Sequence, residues 1–347
     1  MAPPKEGRLT SSPSARVALV GLGPIGIEVG RALVPRTDID ILGAADPAPD
    51  KHGKDLEEVL DMPASLAGIE VRPSAKALYA ASAFTRTKKD IALICTGSRL
   101  PAVADQIKEA IEAGFHIIST CEELAYPELS QAVLARQIDK LAKEKGVAVL
   151  GTGVNPGLVM DRLALEAASA CVSVDSITVT RVVDAAKRRG PLRAKVGAGL
   201  TREEFVAGVA VKRLGHVGLS ESAAIIALGL GLPIDEITET IEPVIAEEET
   251  DGVAPGCVLG LHQIAIVQAG DEVRVKLDLT MAVGVENPSD RIEIEGDPSV
   301  SLVVSGGYHG DRATVGCVVN AIPFVVQAPP GLHKVVTLPL FGLVPLP

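Results

Sequence analysis

The sequence has no tryptophan, and aromatic residues make up only 2% of its 347 positions. Its hydrophobic cores must therefore be aliphatic, built from Val, Ile, Leu and Ala. Binding of single-stranded nucleic acid relies on aromatic platforms in a basic groove. Few aromatics and a formal net charge of -11 argue against that partner, because an acidic surface repels phosphate backbones. Cysteines are also few: Cys95, Cys121, Cys171, Cys257 and Cys317, odd in number and without CxxC spacing. This argues against a disulfide framework and fits a reducing, cytoplasmic setting. No pair of histidines has metal-ligand spacing, so no metal is expected. Residues 1–14 are rich in Pro and Ser and lack the apolar centre of a signal peptide; they read as a disordered start. The longest apolar run, Ala223 to Ile234, falls short of the roughly 20 residues a bilayer requires, so no membrane span is expected.

Hydrophobic residues amount to 47% and charged residues to 22%, enough to bury large cores. The length fits more than one domain. In the first half, short apolar runs alternate with helical spacing. Val17 to Val20, Ile39 to Ala45, Ile91 to Cys95, His116 to Thr120 and Val147 to Leu150 read as strands. Pro24 to Val34, Pro101 to Ala113 and Pro127 to Lys145 read as helices. Such alternation predicts an α/β domain, a doubly wound parallel sheet covered on both faces, over residues 1–155. Beyond it the pattern changes. Ser176 to Val183, Gly260 to Gln268, Val273 to Val285 and Arg291 to Glu295 alternate like half-buried strands, and Arg202 to Leu214 and Ser220 to Leu230 read as helices. Ile237 to Ile245 is ambiguous between the two. An α+β domain with an open mixed or antiparallel sheet is expected over 156–310. Residues 311–347 form a C-terminal helix and tail that could return to the first domain.

Gly21-Leu22-Gly23-Pro24-Ile25-Gly26 follows the first strand and opens the first helix, and Asp46 ends the second strand. These are the parts of the dinucleotide fingerprint of a Rossmann domain, in register. Gly21 permits the turn, Gly23 lets backbone approach a pyrophosphate, and Gly26 lets helix pack on strand. The helix N-terminus favours the anion. Asp46 is suited to ribose hydroxyls and repels a 2′-phosphate, which favours NAD over NADP, although Arg16, Lys51 and Lys54 lie within sequence reach of such a phosphate. Thr96-Gly97-Ser98 follows the strand ending at Cys95, at the carboxyl edge where ligands bind; it is either a nicotinamide ribose contact or an ordinary turn. Thr120, Glu122 and Glu123 follow the next strand. The carboxylates either move a proton beside the nicotinamide or stabilise a helix start. Cys121 reads as packing. Asn155, in Gly151 to Gly157, either caps a helix or orients a ligand. Arg181, Asp184, Lys187, Arg188, Arg189, Arg193 and Lys195 form a charged stretch that either closes over the cofactor or is simply solvated. His216 precedes Glu221 near a helix.

With these segments read, GLGPIG, CEELAYP (Cys121 to Pro127), GTGVNPG (Gly151 to Gly157), KVGAGLTREEF (Lys195 to Phe205) and GHVGLSES (Gly215 to Ser222) together resemble the 2,4-diaminopentanoate dehydrogenases and related native amine dehydrogenases. These share the architecture of dihydrodipicolinate reductase, whose histidine-rich motif with a catalytic lysine is not seen here. The resemblance spans Arg16 to the C-terminal tail. It implies reversible reductive amination of a ketone or aldehyde by ammonia with NAD(P)H, and a homodimer. The family's pocket glutamate maps onto the Glu122–Glu123 pair, with Glu123 preferred by counting back from GTGVNPG. Asn155 and Arg181 map onto pocket-lining positions. The competing expectations are a diaminopentanoate dehydrogenase proper, a carbonyl-only reductase, and a dinucleotide-binding protein without turnover.

Overall fold

The computed structural model describes residues 14–62, 66, 68–81, 87–185, 190–232, 234 and 236–339. The disordered start expected over 1–14 lies outside them apart from Ser14, as do Lys187, Arg188 and Arg189. The chain begins β1 (Ala15–Val20), α1 (Pro24–Leu33), β2 (Ile39–Ala45), α2 (Leu56–Leu60), β3 (Val71–Arg72) and α3 (Ala75–Ala81). It continues β4 (Asp90–Ile94), α4 (Leu100–Glu112), β5 (His116–Ser119), a 3-10 turn at Glu122–Ala125, α5 (Glu128–Lys145) and β6 (Ala148–Gly151). The second half runs α6 (Arg162–Ala168), β7 (Ser173–Asp184), α7 (Gly190–Lys195), α8 (Arg202–Ala210) and α9 (Leu219–Gly229). Then come β8 (Glu236–Ile245), β9 (Val258–Ala269), β10 (Glu272–Ala282), β11 (Ser289–Asp297), β12 (Val300–Ser305), α10 (Gly310–Val325) and β13 (Gly331–His333).

The first sheet has seven strands in the order β13-β6-β5-β4-β1-β2-β3, paired in parallel throughout. Strands β4, β5 and β6 are buried along their whole length, which is why their centres, Ile91 to Ile94, Ile117 to Ile118 and Ala148 to Leu150, are apolar without alternation. One face packs Leu19 and Leu93 against Val29 and Leu33 of α1 and Val318 and Ile322 of α10. The other packs Ala92 and Ile94 against Val103 and Ile107 of α4 and Ile138 of α5. Strand order reverses at β1, whose neighbours are β2 and β4. In such sheets the crevice at the carboxyl ends of the strands beside the reversal is the ligand site.

The second sheet has six strands in the order β12-β11-β7-β10-β9-β8. It is mixed: β7 and β10 pair in parallel and the rest antiparallel. Alternate residues such as Val179, Ala265 and Leu277 pack beneath α6 and α9. The ambiguous stretch at 237–245 is a strand, because β9 offers it a full ladder from Glu236↔Gln268 to Ile245↔Val258. Helix α8 stops at Ala210, short of the expected Leu214, where Lys212 takes φ 56 and turns the chain. Strand β13 was not anticipated. Three residues carry no readable periodicity, yet they pair with Ala148 to Leu150 of β6. Among the described residues no helix is long and apolar enough to cross a membrane.

Candidate active site

The glycine turn joins β1 to α1 at the switch point. Gly21 has φ +86, and a Cβ there would stand 2.6 Å from Thr96 Cγ2 and 2.9 Å from the Cys95 carbonyl oxygen. At Gly26 a Cβ would fall 1.8 Å from the Gly21 carbonyl oxygen, so helix and turn are in direct backbone contact. At Gly23 a Cβ meets nothing within 4 Å; the space before it is open. Helix α1 has Pro24 in its first turn, no side-chain N-cap and no acidic residue there. Its first amides are left for an anion, with the helix dipole in support. This cradle fits the pyrophosphate of a dinucleotide. Asp46 is buried beside it and accepts hydrogen bonds from Leu22 N–H (2.7 Å) and Ala48 N–H (2.9 Å), which ties the acidic residue to the glycine turn itself.

From the cradle a cavity of about 400 Å³ runs between the two sheets. Gly23, Pro24, Ile25, Thr96, Gly97, Ser98, Thr120, Glu122, Asn155 and Arg181 all lie on its wall. Gly21, Gly26, Asp46 and Glu123 do not. The adjacent glutamates face different surroundings because they sit on a single 3-10 turn. Glu122 points to the cleft, with Lys195 Nζ 3.9 Å from Oε1. Burial pushes its carboxyl above the ordinary glutamate range, against the opposing pull of Lys195. Glu123 instead accepts from Leu100 N–H at 2.7 Å and Arg99 Nη1 at 3.0 Å, fastening the 3-10 turn to the start of α4. The thiol of Cys121 donates to Ser98 O and is pushed up to about 12 by burial, so it packs as a neutral group.

The Gly151–Gly157 loop and the Gly215–Ser222 segment meet across the cleft. Gly218 has φ +106, and a Cβ there would lie 2.4 Å from Pro156 Cδ and 3.1 Å from Glu122 Cβ. Asn155 Nδ2 is 3.0 Å from His216 Nε2. Ser222 Oγ lies 3.3 Å from Asn155 Oδ1 and donates to Asp161 Oδ2 at 2.8 Å. Asp161 is held in turn by Gly157 N–H at 2.7 Å. Burial, with Lys195 and Arg181 nearby, pushes His216 down to about 3. Its imidazole is therefore neutral and accepts from the Asn155 amide. Arg181 is engaged with Asp290 Oδ1 and Tyr308 O, both at 2.9 Å, and so contributes a fixed wall.

Sequence reasoning did not single out Leu279 and Met281 of β10, or Gly310, Asp311 and Thr314 at the start of α10, all of which line the cavity. Thr314 Oγ1 accepts from Val154 N–H at 3.2 Å, a contact between residues 160 positions apart. The readable trace of it is the helix signal beginning at Asp311. Sequence reasoning places Lys195 in a charged stretch and in KVGAGLTREEF, and His216 before Glu221 in GHVGLSES, without making either a site residue. Among the described residues no three His, Cys, Asp or Glu side chains converge as metal ligands.

A parallel sheet with a glycine cradle at its switch point, opening on a cleft with an ionisable carboxylate, defines a dinucleotide-dependent oxidoreductase. Residues 158–344 match the model of the 2,4-diaminopentanoate dehydrogenase C-terminal domain. The chain is 32% identical over 338 residues to 2,4-diaminopentanoate dehydrogenase of Acetoanaerobium sticklandii, covering 94% of this chain and 93% of that one. An amine dehydrogenase of Streptomyces virginiae is 23% identical over 92% of this chain and 95% of its own. The solved structure of amine dehydrogenase from Mycobacterium smegmatis superposes with a TM-score of 0.82 at 25% identity, covering 95% of this chain and 97% of that one. The chain belongs to the 2,4-diaminopentanoate dehydrogenase family.

Proposed function

We propose that this chain is an amine dehydrogenase, interconverting a primary amine, NAD+ and water with a ketone or aldehyde, ammonia and NADH. The observation that carries the reading is Glu122: a carboxyl raised by burial, on the wall of the cleft that starts at the dinucleotide cradle. When bound, NADH supplies the hydride. Gly23 and the α1 amides would hold its pyrophosphate, and Thr96, Gly97, Ser98 and Thr120, which line the same cavity, would contact the rest of the cofactor. Glu122 accepts a proton from ammonium, freeing ammonia to add to the carbonyl carbon, and returns that proton to the carbinolamine hydroxyl, which leaves as water and restores the carboxylate. Its negative charge then stabilises the cationic iminium. A raised pKa suits a base that must exchange protons with ammonium. This assigns the pocket role to Glu122 rather than to the Glu123 favoured by sequence counting, because Glu123 has both oxygens engaged with Leu100 and Arg99. Asn155, held by His216 and Ser222, orients the substrate or the nicotinamide amide.

NAD is favoured over NADP. Of the cations able to meet a 2′-phosphate, Arg16 is engaged by Asp90 at 2.7 Å, Lys54 by Glu58 at 2.7 Å, and Lys51 stands 3.5 Å from Asp46 itself. Lys195 lines the cleft and its ion pair with Glu122 is long; it is placed to meet a substrate carboxylate, which supports an amino-acid substrate such as 2,4-diaminopentanoate. A cytoplasmic, homodimeric enzyme completes the proposal. The five cysteines, all free thiols, support a reducing compartment. The test is NADH oxidation with short aldehydes and cyclohexanone, with and without ammonium, and NAD+ reduction by 2,4-diaminopentanoate. Turnover that requires ammonium supports the proposal. Turnover without ammonium makes the protein a carbonyl reductase, and a preference for NADPH overturns the cofactor assignment.

A further inference from the structure

A second cavity of about 420 Å³ opens on the far side of His216, whose side chain borders both spaces. It lies between the first sheet's Arg99 and Glu123 and the second domain's Lys212, Glu221 and Glu239. These carboxylates are not equivalent. Glu123 is satisfied by Leu100 N–H and Arg99. Glu239 is satisfied by Gln263 Nε2 at 2.7 Å and by the Ser220 hydroxyl. Glu221 is only 7% exposed, and its carboxylate has no partner among the described residues beyond its own amide. Arg99 pairs with Glu123 and reaches Glu221 only through its charge, and Lys212 is exposed at the mouth. A buried carboxylate with no cation in hydrogen-bond contact is costly unless it is protonated or takes a cationic ligand. Burial, with the neighbouring Glu123 and Glu239, pushes Glu221 up to about 7 against the opposing pull of its own amide and of Arg99.

We propose that this cavity is a docking site for free ammonium, held by Glu221 with Glu239 and Glu123 as the surrounding negative field, and set behind His216 from the cleft where hydride is transferred. The proposal rests on the amine dehydrogenase reading for its purpose but not for its chemistry. Ammonium offers four N–H donors, and a charge-assisted bond to a buried carboxylate is the strong kind. The site would concentrate the nitrogen substrate next to the cleft without occupying the space that the carbonyl compound needs. Gln263 links the two sides, since its Nε2 donates to both Glu239 and the His216 carbonyl oxygen.

The experiment pairs kinetics with a binding readout. Crystals of the wild type and of Glu221→Gln are soaked in rubidium chloride, rubidium standing in for ammonium, and the anomalous signal is mapped. A rubidium peak against Glu221 in the wild type, absent from the variant, is expected. Glu221→Gln with unchanged melting temperature is expected to raise the KM for ammonium about tenfold, the loss of one charge-assisted hydrogen bond, with the KM for cyclohexanone and the affinity for NADH unchanged. No peak at Glu221, or an unchanged ammonium KM in the folded variant, overturns the proposal. A change confined to the KM for a diamine also overturns it, because the cavity would then hold the second ammonium group of the substrate. Absence of the peak in an enzyme that requires ammonium removes this site and leaves the amine dehydrogenase reading intact. A peak in an enzyme that needs no ammonium removes the role proposed here along with that reading.

Discussion

Glu122 and Glu123 share composition, neighbours in sequence and a single turn, yet the fold gives them opposite duties. One faces the cleft with a long contact to Lys195; the other accepts a backbone N–H and a guanidinium. Glu122→Gln keeps the shape and removes the base, so kcat/KM for amination is expected to fall at least about a hundredfold with NADH affinity unchanged. Glu123→Gln is expected to cost about 1 kcal/mol of stability and to retain most activity. Equal loss in both variants would remove the distinction. The raised pKa of Glu122 adds a pH signature. As pH rises from the ordinary glutamate range through the raised value, the buried acid ionises, so activity is gained and the fold is slightly destabilised. The acid limb of kcat/KM should therefore lie above the ordinary glutamate range and disappear in Glu122→Gln. A limb that persists unchanged in that variant belongs to another group, and Glu221, at about 7, would be the next to replace.

The cradle shows how much an element's sequence tells and where it stops. The glycines, the strand before them and the helix after them were readable because each residue does a local job. Strands β4 to β6 were readable because burial on both faces leaves an apolar centre without alternation. The opposite holds where one element is defined by another far away. The meeting of Gly218 with Pro156 and Glu122, the Thr314 bond to Val154 and the pairing of β13 with β6 leave no local period to read. The same limit hid the orientation of the glutamates, since neither their spacing nor their charge says which one meets Leu100. The glycines of the cradle separate packing from binding. Gly26→Ala forces a Cβ to 1.8 Å from a carbonyl oxygen and is expected to cost about 1–3 kcal/mol together with NADH binding. Gly23 has φ -68, which any residue can adopt, and a Cβ there meets nothing. Gly23→Ala should leave stability within about 0.5 kcal/mol while weakening NADH at least about tenfold, if the open space is where the pyrophosphate lies. A Gly23→Ala protein that binds NADH normally would place the pyrophosphate elsewhere.

At the scale of the whole molecule, the second sheet buries one face and leaves the other half-exposed. Helices α6 and α9 cover the face carrying Val179, Ala265 and Leu277. On the reverse, the register aligns Arg291, Thr180, Asp278, Ile264 and Thr240 in one row across β11, β7, β10, β9 and β8. The adjacent row aligns Glu293, Thr178, Lys276, Ile266 and Thr238. An apolar centre at Ile264 and Ile266 is flanked by two ion pairs within the chain, Arg291–Glu293 and Lys276–Asp278, so the face carries balanced charge and is self-complementary to a rotated copy. Closed two-fold contacts require that self-complementarity. This face is where the proposed homodimer would form. Light scattering of the wild type is expected at twice the chain mass of 35.9 kDa. Replacing Ile264 and Ile266 together by Arg sets like charges against each other across the two-fold axis and removes the apolar centre, so the variant should scatter at 35.9 kDa. Both side chains point away from the α6 and α9 core, so that variant should still bind NADH in the first domain. A wild type that scatters as a single chain would show that this sheet face stays in water, and a variant that remains dimeric would move the contact to another surface.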